Sequence, residues 1–133
     1  MKIATTIEQS ERLLKCGVNI DTADMHYERK LFIIGEKPKE ILSFGFEPNY
    51  MGMTGYSPAW SLSALIYELD KFCNKMLKKK VVIEITKQSG GDWALNIYTS
   101  RGLVTGLNDN DFFEACLRMI ERIYEKEKWK DIE

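Results

Sequence analysis

The sequence has a single histidine and no large excess of either charge. Histidine is the side chain that most often moves protons in catalysis, so any scheme of that kind must use His26. Nineteen basic and 20 acidic side chains leave a formal charge of −1, whereas non-specific binding to nucleic acid needs a basic field. The composition therefore argues against a protein that coats nucleic acid, unless its basic side chains are clustered locally.

The sequence also has few cysteines and no long apolar run. Cys16, Cys73 and Cys116 are odd in number and far apart, and each falls in a predicted helix beside apolar neighbours, so we predict buried free thiols. Lys2 is followed by only two apolar residues before Thr5 and Thr6, so no signal peptide is expected. No apolar run approaches the roughly 20 residues that cross a bilayer. These features predict a cytoplasmic protein without a membrane span.

Patterns that bind metals or nucleotides are missing as well. There is no C-x-x-C or H-x-x-x-H spacing of the kind that binds zinc. Gly52-Met53-Thr54-Gly55 precedes a predicted helix, but it matches neither the dinucleotide pattern nor the phosphate-loop pattern. We therefore predict no catalytic motif, no cofactor and no metal site.

The chain is organised around the stretch from Tyr56 to Ile66. Ser57 can accept a hydrogen bond from a free amide of a first helical turn, and Pro58 suits the first helical position because it lacks an N–H. Apolar residues then recur at helical spacing, namely Leu62, Leu65, Ile66, Leu69, Phe72 and Cys73. This pattern predicts a central helix from about Pro58 to Lys71.

The first helix is indicated by its ends. Thr5 or Thr6, followed three residues later by Glu8 or Gln9, forms a capping-box pattern. Gly17 is a natural left-handed stop.

The next segments predict a short helical turn and two strands. Asp21 to Tyr27 is typical of a helical turn that Asp21 or Thr22 would cap. Lys30 to Ile34 reads as a central strand that is apolar on both faces. The alternation of Leu42, Phe44 and Phe46 with small residues predicts a half-buried strand. The loop from Glu47 to Tyr56 is unusually rich in large side chains.

The clearest element is a hairpin between Val81 and Tyr98. Gly90-Gly91 suggests a two-residue turn, but that register would put Ile83 and Ile85 on the face opposite Leu95 and Ile97. A slip of one residue moves every side chain to the other face, so burial should decide the register. We therefore predict that Ile85 pairs with Leu95 and Ile83 with Ile97, across a loop of three or five residues.

The last third of the chain predicts a connection and a long helix. Arg101 to Leu107 is punctuated by glycine, with a short extended piece at Leu103-Val104. Asn108 or Asp109 should cap a helix from about Asn110 to Lys128. Its apolar stripe consists of Phe113, Cys116, Leu117, Ile120, Ile123 and Tyr124.

Together these elements predict an α+β fold that forms a single domain over residues 1–133. We expect a small antiparallel sheet of about three or four strands, packed with two or three helices. The central and C-terminal helices should cover one face of the hairpin. The other face is mixed enough to be solvated, which leaves both a monomer and a dimer open; it carries Val82, Glu84, Thr86, Ala94, Asn96 and Tyr98.

Three segments carry a resemblance. Thr6–Ser10 reads T-I-E-Q-S, Thr22–Met25 reads T-A-D-M, and Pro58–Leu65 reads P-A-W-S-L-S-A-L. In this order they resemble a family of small uncharacterised proteins that phages, prophages and mobile elements of gut-type bacteria encode. The closing helix is similar more loosely, at Asp111–Cys116. The resemblance covers nearly the whole chain and implies a phage or mobile-element origin, but it carries no catalytic assignment.

The best candidate for a binding surface is an aromatic cluster around one loop and helix start. Tyr50, Tyr56 and Trp60 lie within eleven positions, with Met51 and Met53 between them. One interpretation places Trp60 in the core with the tyrosines over it. The other is a surface for protein binding or self-association, because tyrosine and tryptophan dominate interface energetics. The candidate binding residues are Tyr50, Tyr56, Trp60, Ser61, Asp24 and His26.

We therefore expect a non-enzymatic accessory or interaction protein that acts through a protein partner or self-association. A nucleic-acid-associated factor is the first alternative, with stacking aromatic side chains and phosphate contacts from a lysine cluster. That cluster consists of Lys71, Lys75, Lys78, Lys79 and Lys80. A small enzyme centred on Asp24 and His26 is the second alternative, and it requires a pocket that joins both residues to Ser61.

Overall fold

The computed structural model describes residues 2–30, 34–47 and 55–130. The chain forms two compact units, Met1–Ala64 and Leu65–Glu133. The described residues contain three α-helices and two three-stranded antiparallel sheets, which confirms the predicted α+β class. The six strands are divided between the two units instead of forming one sheet. Among the described helices, none combines the length and apolarity needed to span a membrane.

The first unit begins with helix α1 (Ile7–Lys15), and its start is the predicted capping box. The hydroxyl of Thr6 accepts from the N–H of Gln9, and the Gln9 side chain accepts from the N–H of Thr6, both at 3.1 Å. Two amides that would otherwise lack partners at the helix start are thereby satisfied.

The end of α1 is the predicted glycine stop. Gly17 has a φ of 83°, in the left-handed region that glycine adopts without penalty. Its N–H donates to Leu14, while the N–H of Val18 donates back to Leu13. This double hydrogen bond is a Schellman motif, which satisfies carbonyls at the helix end.

The first sheet has the order β2-β1-β3, with strands β1 (Met25–Lys30), β2 (Lys39–Phe44) and β3 (Tyr56–Ala59). The predicted strand around Leu42 is present, but it ends at Phe44, which is 86% exposed, and Phe46 lies beyond it. The helical turn predicted over Asp21–Tyr27 is wrong, because only Ile20–Thr22 forms a 3-10 turn and the chain is extended from Met25. Pairing with a strand on each side makes β1 the central strand, which overrides the local signal.

Most of the predicted strand Lys30–Ile34 lies outside the described residues. Lys30 ends β1, Ile34 lies in a turn and is 95% exposed, and residues 31–33 lie outside the described residues. The loop predicted between Glu47 and Tyr56 falls mostly on residues 48–54, which also lie outside them.

The central helix begins later than predicted because Ser57 and Pro58 belong to a strand. The N–H of Arg29 donates to the carbonyl of Gly55. The residues of β1 whose N–H and C=O groups point toward β3 are therefore Met25, Tyr27 and Arg29. These residues pair with Ala59, Ser57 and Gly55, and the nitrogen of Pro58 therefore faces away from the ladder. A proline on an edge strand removes no hydrogen bond in that position.

Helix α2 spans Leu62–Leu77, four residues later at its start and six at its end than the predicted Pro58–Lys71. Ser61 caps it, accepting from the N–H of Ala64 at 3.3 Å. Leu65, Leu69 and Cys73 are fully buried, as the apolar spacing predicts. Lys78 follows the helix with a φ of 53°, in the left-handed conformation that often ends a helix.

The second sheet has the order β4-β5-β6, and its hairpin has the predicted register. Strand β4 (Val82–Lys87) pairs with β5 (Trp93–Thr99), with Ile85 opposite Leu95 and Ile83 opposite Ile97. The loop between Lys87 and Trp93 has five residues, one of the two predicted lengths. Burial of one face therefore decides the register over the turn signal of Gly90-Gly91.

The segment predicted as a connection is a third strand, β6 (Gly102–Asp109). It pairs with β5 along its length, with a shift of register between Ile97 and Tyr98. This bulge interrupts the alternation of apolar residues around Leu103-Val104, which is the signal that identifies strands in a sequence.

Helix α3 (Phe112–Lys130) packs on β5 and β6. Its cap is Asp111, two positions beyond the predicted Asp109, because Asp111 accepts from the N–H of Phe113 at 3.0 Å. Asp109 instead accepts from the N–H of Asp111. The predicted stripe is buried from Phe113 to Ile123, and Tyr124 is half-buried.

Replacing Gly17 with alanine is expected to lower the free energy of unfolding by about 1 kcal/mol, because a Cβ disfavours positive φ. Gly90→Ala is the matched control, since no atom lies within 4 Å of an added Cβ at either position and only Gly17 has a positive φ. Urea unfolding followed by circular dichroism measures both. Equal stabilities of the two variants would contradict the assigned helix stop.

Candidate functional site

Trp60 and Ser61 are the point at which three separate segments of the first unit meet. The Trp60 side chain is fully buried, and its indole N–H donates to the hydroxyl of Thr22 at 3.0 Å. The backbone of Trp60 exchanges two hydrogen bonds with Thr5: its N–H donates to the Thr5 hydroxyl at 3.0 Å, and its carbonyl accepts from the Thr5 N–H at 2.9 Å. Asp24 accepts from the N–H of Ser61 at 2.8 Å.

These contacts bring together the three segments that carry the sequence resemblance. The P-A-W-S-L-S-A-L segment contributes Trp60 and Ser61, and the T-A-D-M segment contributes Thr22 and Asp24. The T-I-E-Q-S segment contributes Ser10, which binds the neighbouring Thr5. The residues that look most distinctive in the sequence are therefore mutual structural partners.

The buried hydroxyls at this junction form a chain with a defined direction. Ser10 donates its single hydroxyl proton to the carbonyl of Thr6 at 2.8 Å. The 2.8 Å contact between the Thr5 and Ser10 hydroxyls must then be a donation from Thr5 to Ser10. Because Thr5 also accepts from the Trp60 amide, both buried hydroxyls donate and accept. Neither hydroxyl therefore lacks a hydrogen-bond partner that a ligand would have to supply.

Asp24 and Ser61 are joined directly, and the contact is a helix cap. The Ser61 hydroxyl donates to one oxygen of Asp24 and accepts from the N–H of Ala64, while the other oxygen of Asp24 takes the Ser61 amide. The hydroxyl proton is thus held by a carboxylate and not by a histidine. A nucleophilic serine needs a neighbouring base that orients and removes this proton, so the arrangement is typical of a cap and not of a catalytic triad.

His26 lies on β1 with 7% of its surface exposed, and it is held by the backbone that follows β2. Its Nδ1 lies 2.6 Å from the carbonyl of Gly45, and since a carbonyl only accepts, Nδ1 carries the proton. The N–H of Gly45 donates in turn to the carbonyl of Asp24 at 2.7 Å. Asp24 and His26 therefore hold the same glycine, one through its main chain and the other through its side chain.

Tyr56 is half-buried beside His26, with 5.8 Å between the ring centroids. Its hydroxyl donates to Glu28 at 3.1 Å, and Glu28 lies 3.6 Å from the ammonium of Lys30. Direct pairing of His26 with Pro58 and of Glu28 with Tyr56 places these side chains on one face of the first sheet.

The other face of that sheet borders a cavity of about 120 Å³. Tyr27, Arg29, Glu40 and Ser57 are among its lining residues, and Asp24, His26 and Ser61 are not. Burial, and then the charge of Glu40, raise the pKa of Tyr27 above its ordinary value, so the phenol stays protonated and donates to the Thr5 carbonyl. Pockets for metabolite-sized ligands are usually about 300 Å³ or larger, so this cavity suits a few water molecules.

The cysteines are buried free thiols, as predicted. Burial raises the pKa of both Cys73 and Cys116 to about 12, with smaller contributions from neighbouring acidic groups. A reactive cysteine needs a lowered pKa, so neither thiol is poised as a nucleophile near neutral pH. Within the part of the chain that the structure describes, no cluster of three side chains could hold a metal ion.

The second unit presents an apolar row on the face of its sheet that does not carry Ile83, Ile85, Leu95 and Ile97. Val82 pairs with Tyr98, and Tyr98 pairs with Leu103, so the three side chains lie side by side across all three strands. Val82 is 63% exposed and Leu103 is 60% exposed, and Tyr98 between them is half-buried. We call these three residues the outer apolar row.

The row beside it is polar and closely fitted. Asn96 lies between Glu84 and Gly106, and its side-chain N–H donates to Glu84 at 3.2 Å. A Cβ on Gly106 would lie only 2.1 Å from the Asn96 side-chain oxygen, so glycine leaves the space that this amide occupies. The polar row thus marks one boundary of the outer apolar row.

The lysine cluster lies at the C-terminal end of α2 and just beyond it, and its five side chains are exposed. Lys71 is already engaged, since its ammonium lies 3.7 Å from Glu68 and 5.4 Å from the ring of Tyr67. Cations at this end of a helix are also favoured by the helix dipole, which gives the remaining lysines a structural role.

The predicted site residues are therefore dispersed. Asp24 and Ser61 meet in a helix cap, His26 and Tyr56 lie together, and Trp60 is in the core, so its ring does not contribute to a surface. Tyr50 lies outside the described residues. Leu103 was not predicted as a site residue because β6 was not predicted as a strand. Recognising this third strand would have placed Leu103 next to Tyr98.

Comparisons with family models, with curated proteins and with solved structures yield no match to this chain.

Thr5→Val is expected to lower the free energy of unfolding by about 1–3 kcal/mol, because it leaves the buried Trp60 amide without its acceptor. Thr22→Val is the matched control: it removes the acceptor of the Trp60 indole, but Thr22 is half-buried and water can substitute. Urea titrations followed by circular dichroism compare them. If Thr5→Val costs no more than Thr22→Val, the buried hydroxyl chain does not have the importance assigned to it.

Proposed function

We propose that this chain is a non-enzymatic accessory protein that acts through contacts with another protein, and that it originates from a phage or a mobile element. The observation that carries the proposed activity is the outer apolar row of Val82, Tyr98 and Leu103. The proposed origin has a separate support, which is the resemblance of the three segments that meet at Trp60.

Single exposed apolar side chains are common on protein surfaces and need no explanation. Val82 and Leu103 differ from that background because they flank Tyr98 in one continuous row, each with more than half of its surface exposed. Tyrosine contributes contact area at low entropic cost, and exposed apolar patches with a polar boundary are typical of protein interaction sites. These properties support the outer apolar row as the contact surface.

A non-enzymatic role is supported by how the other candidate groups are used. The Ser61 hydroxyl and the Asp24 carboxylate are both occupied in a helix cap, and the buried Cys73 and Cys116 thiols have raised pKa values. The cavity of the first unit is small and borders neither Asp24 nor His26. The alternative of a small enzyme centred on these two residues has correspondingly less support.

A nucleic-acid-associated factor is the second candidate, because Lys78, Lys79 and Lys80 are consecutive and exposed. The near-neutral charge of the chain and the engagement of Lys71 with Glu68 weigh against it. The two functions differ in their response to salt, since phosphate contacts weaken steeply as salt rises and apolar contacts do not.

The test is affinity purification from cells that naturally produce the protein, with wild type compared to a Val82→Ser/Leu103→Ser double variant. We expect wild type to retain a protein partner at high salt and the double variant to lose it by about tenfold or more. Glu84→Gln is the control on the same face, and it should keep the partner.

Two outcomes would contradict the proposal. Retention of the same proteins by the double variant would remove the outer apolar row as the contact surface. Recovery of nucleic acid that is released by salt, and by a Lys79→Ala/Lys80→Ala variant, would favour the second candidate. Circular dichroism should show that all variants are folded, as expected for substitutions at exposed positions.

A further inference from the structure

The two edges of the second sheet are treated differently. The outer strands are β4 and β6, and each has one side that β5 does not pair with. Unpaired backbone groups on an edge strand can pair with a strand of another chain, so proteins usually protect them. Which groups face outward can be read from the hydrogen bonds at the ends of the ladder.

On β4 the outward groups are those of Ile83, Ile85 and Lys87. The N–H of Gln88 donates to the carbonyl of Asp92 across the hairpin at 2.8 Å, so the backbone groups of Gln88 point toward β5. Because successive residues of a strand point to opposite sides, Glu84 and Thr86 also bond to β5. The N–H and C=O groups of the residues between them therefore point away from the sheet.

The edge of β6 is covered by arginines from α3. Arg122 donates to the carbonyl of Gly106 at 2.7 Å, and Arg118 donates to the carbonyl of Asn108 at 3.2 Å. The same alternation identifies these carbonyls as the outward ones, because the N–H and C=O groups of the β6 residues opposite Leu95 and Ile97 point toward β5. Salt-bridging of Arg118 to Asp109 at 2.9 Å holds one of these arginines in place.

The edge of β4 has no comparable cover. Within the described ranges, no hydrogen bond from a helix, strand or side chain reaches the outward groups of Ile83, Ile85 or Lys87. The strand contains no proline or glycine, and its ladder with β5 has no bulge, so its pairing is regular. These are the features that natural edges normally avoid.

The side chains of β4 also lack cover. Helix α3 packs on β5 and β6, and Ile85 remains 39% exposed although it lies on the helix-facing side of the sheet. Its neighbour on that side, Leu95, is fully buried. The apolar face of the sheet thus continues to an edge at which the helix no longer protects it.

We propose that β4 pairs antiparallel with β4 of a second copy of this chain, with Ile85 of each copy opposite the other on a twofold axis. The result is a continuous six-stranded sheet in the order β6-β5-β4-β4-β5-β6. The occupant is a second copy because the strand is complementary to itself in this register in its backbone groups and its faces, and the register places no like charges opposite each other.

The register follows from these three requirements. A twofold axis perpendicular to the sheet places the same face of both copies on one side of the joined sheet. Odd-numbered residues must therefore pair with odd-numbered residues, and even-numbered with even-numbered. Centring on Ile85 pairs Ile83 with Lys87 as well, and every outward N–H and C=O of the stretch then has a partner. Centring on Glu84 would place two like charges directly opposite each other and would leave the outward groups of Lys87 without a partner in the strand.

The proposed register also places Glu84 of one copy opposite Thr86 of the other. Thr86 is exposed, and its hydroxyl makes no hydrogen bond within the part of the chain that the structure describes. A charge at this position therefore reports on the interface with little effect on the monomer. Because of the twofold axis, each substitution acts twice.

The test is sedimentation velocity of the purified chain over a range of concentrations, with wild type, Thr86→Lys and Thr86→Glu. We expect a monomer–dimer equilibrium, about fivefold tighter in Thr86→Lys and about fivefold weaker in Thr86→Glu, from two cross-strand charge pairs. High salt should bring the two variants together. Circular dichroism serves as the check that both variants are folded.

Ile85→Pro provides a second arm. It removes an N–H that points outward and leaves the ladder with β5 intact, so the variant should be a folded monomer. Thr86→Pro is its matched control, because it removes an N–H that bonds β5 and should destabilise the hairpin.

A wild type that is monomeric at every concentration overturns the proposal and leaves the edge for a strand of a different protein. Equal effects of Thr86→Lys and Thr86→Glu overturn the register. The proposal does not rest on the proposed function, because Val82 lies outside the paired stretch and Leu103 is on β6. The Val82→Ser/Leu103→Ser variant should therefore dimerise as wild type does, and the two ideas can fail separately.

Discussion

The contact between Trp60 and Thr5 is the constraint on which the first unit depends. A tryptophan that is fully buried leaves its amide and its carbonyl in a region that water does not reach and its indole N–H at the border of that region, and each needs a hydrogen-bond partner. Thr5 supplies partners for the first two and Thr22 for the third. Ser61, the next residue, is fixed by Asp24 and starts α2. One buried ring thus decides where the first segment and the strand β3 lie and at which residue α2 begins.

This constraint changes how the distinctive residues of the sequence are understood. Threonine, serine and aspartate next to an aromatic ring suggest a binding site. Here the threonines accept hydrogen bonds from the polar atoms of the buried Trp60, and the serine and aspartate form the cap of the next helix. Groups that already have their hydrogen bonds gain little by binding a ligand. Exposed groups that could form new contacts lie in the second unit, at the outer apolar row and at the edge of β4. We propose the outer apolar row as a contact for a different protein and the edge of β4 as a contact for another copy.

Sequence reasoning succeeded where one strong physical effect acts locally. The hairpin register follows from the placement of Ile83, Ile85, Leu95 and Ile97 on one apolar face, and the ends of α1 follow from the chemistry of Thr6 and Gly17. It failed where a distant partner decides. Pro58 fits the start of a helix and the outer side of an edge strand equally well, and only its pairing opposite His26 distinguishes them. The strand β6 was not predicted because the bulge near Leu103 interrupts the alternation of its apolar residues. For the same reason Leu103 was not predicted as a site residue.

The most direct test of the central claim, that β4 is an open edge that a second copy fills, is amide hydrogen exchange measured by NMR at low and high protein concentration. Amides of Glu84 and Thr86, which bond β5, should exchange slowly at both concentrations. Amides of Ile83, Ile85 and Lys87 should exchange quickly in the dilute sample and slowly in the concentrated one. An alternating pattern of this kind identifies pairing at the edge residue by residue. Fast exchange of these three amides at every concentration would contradict the account.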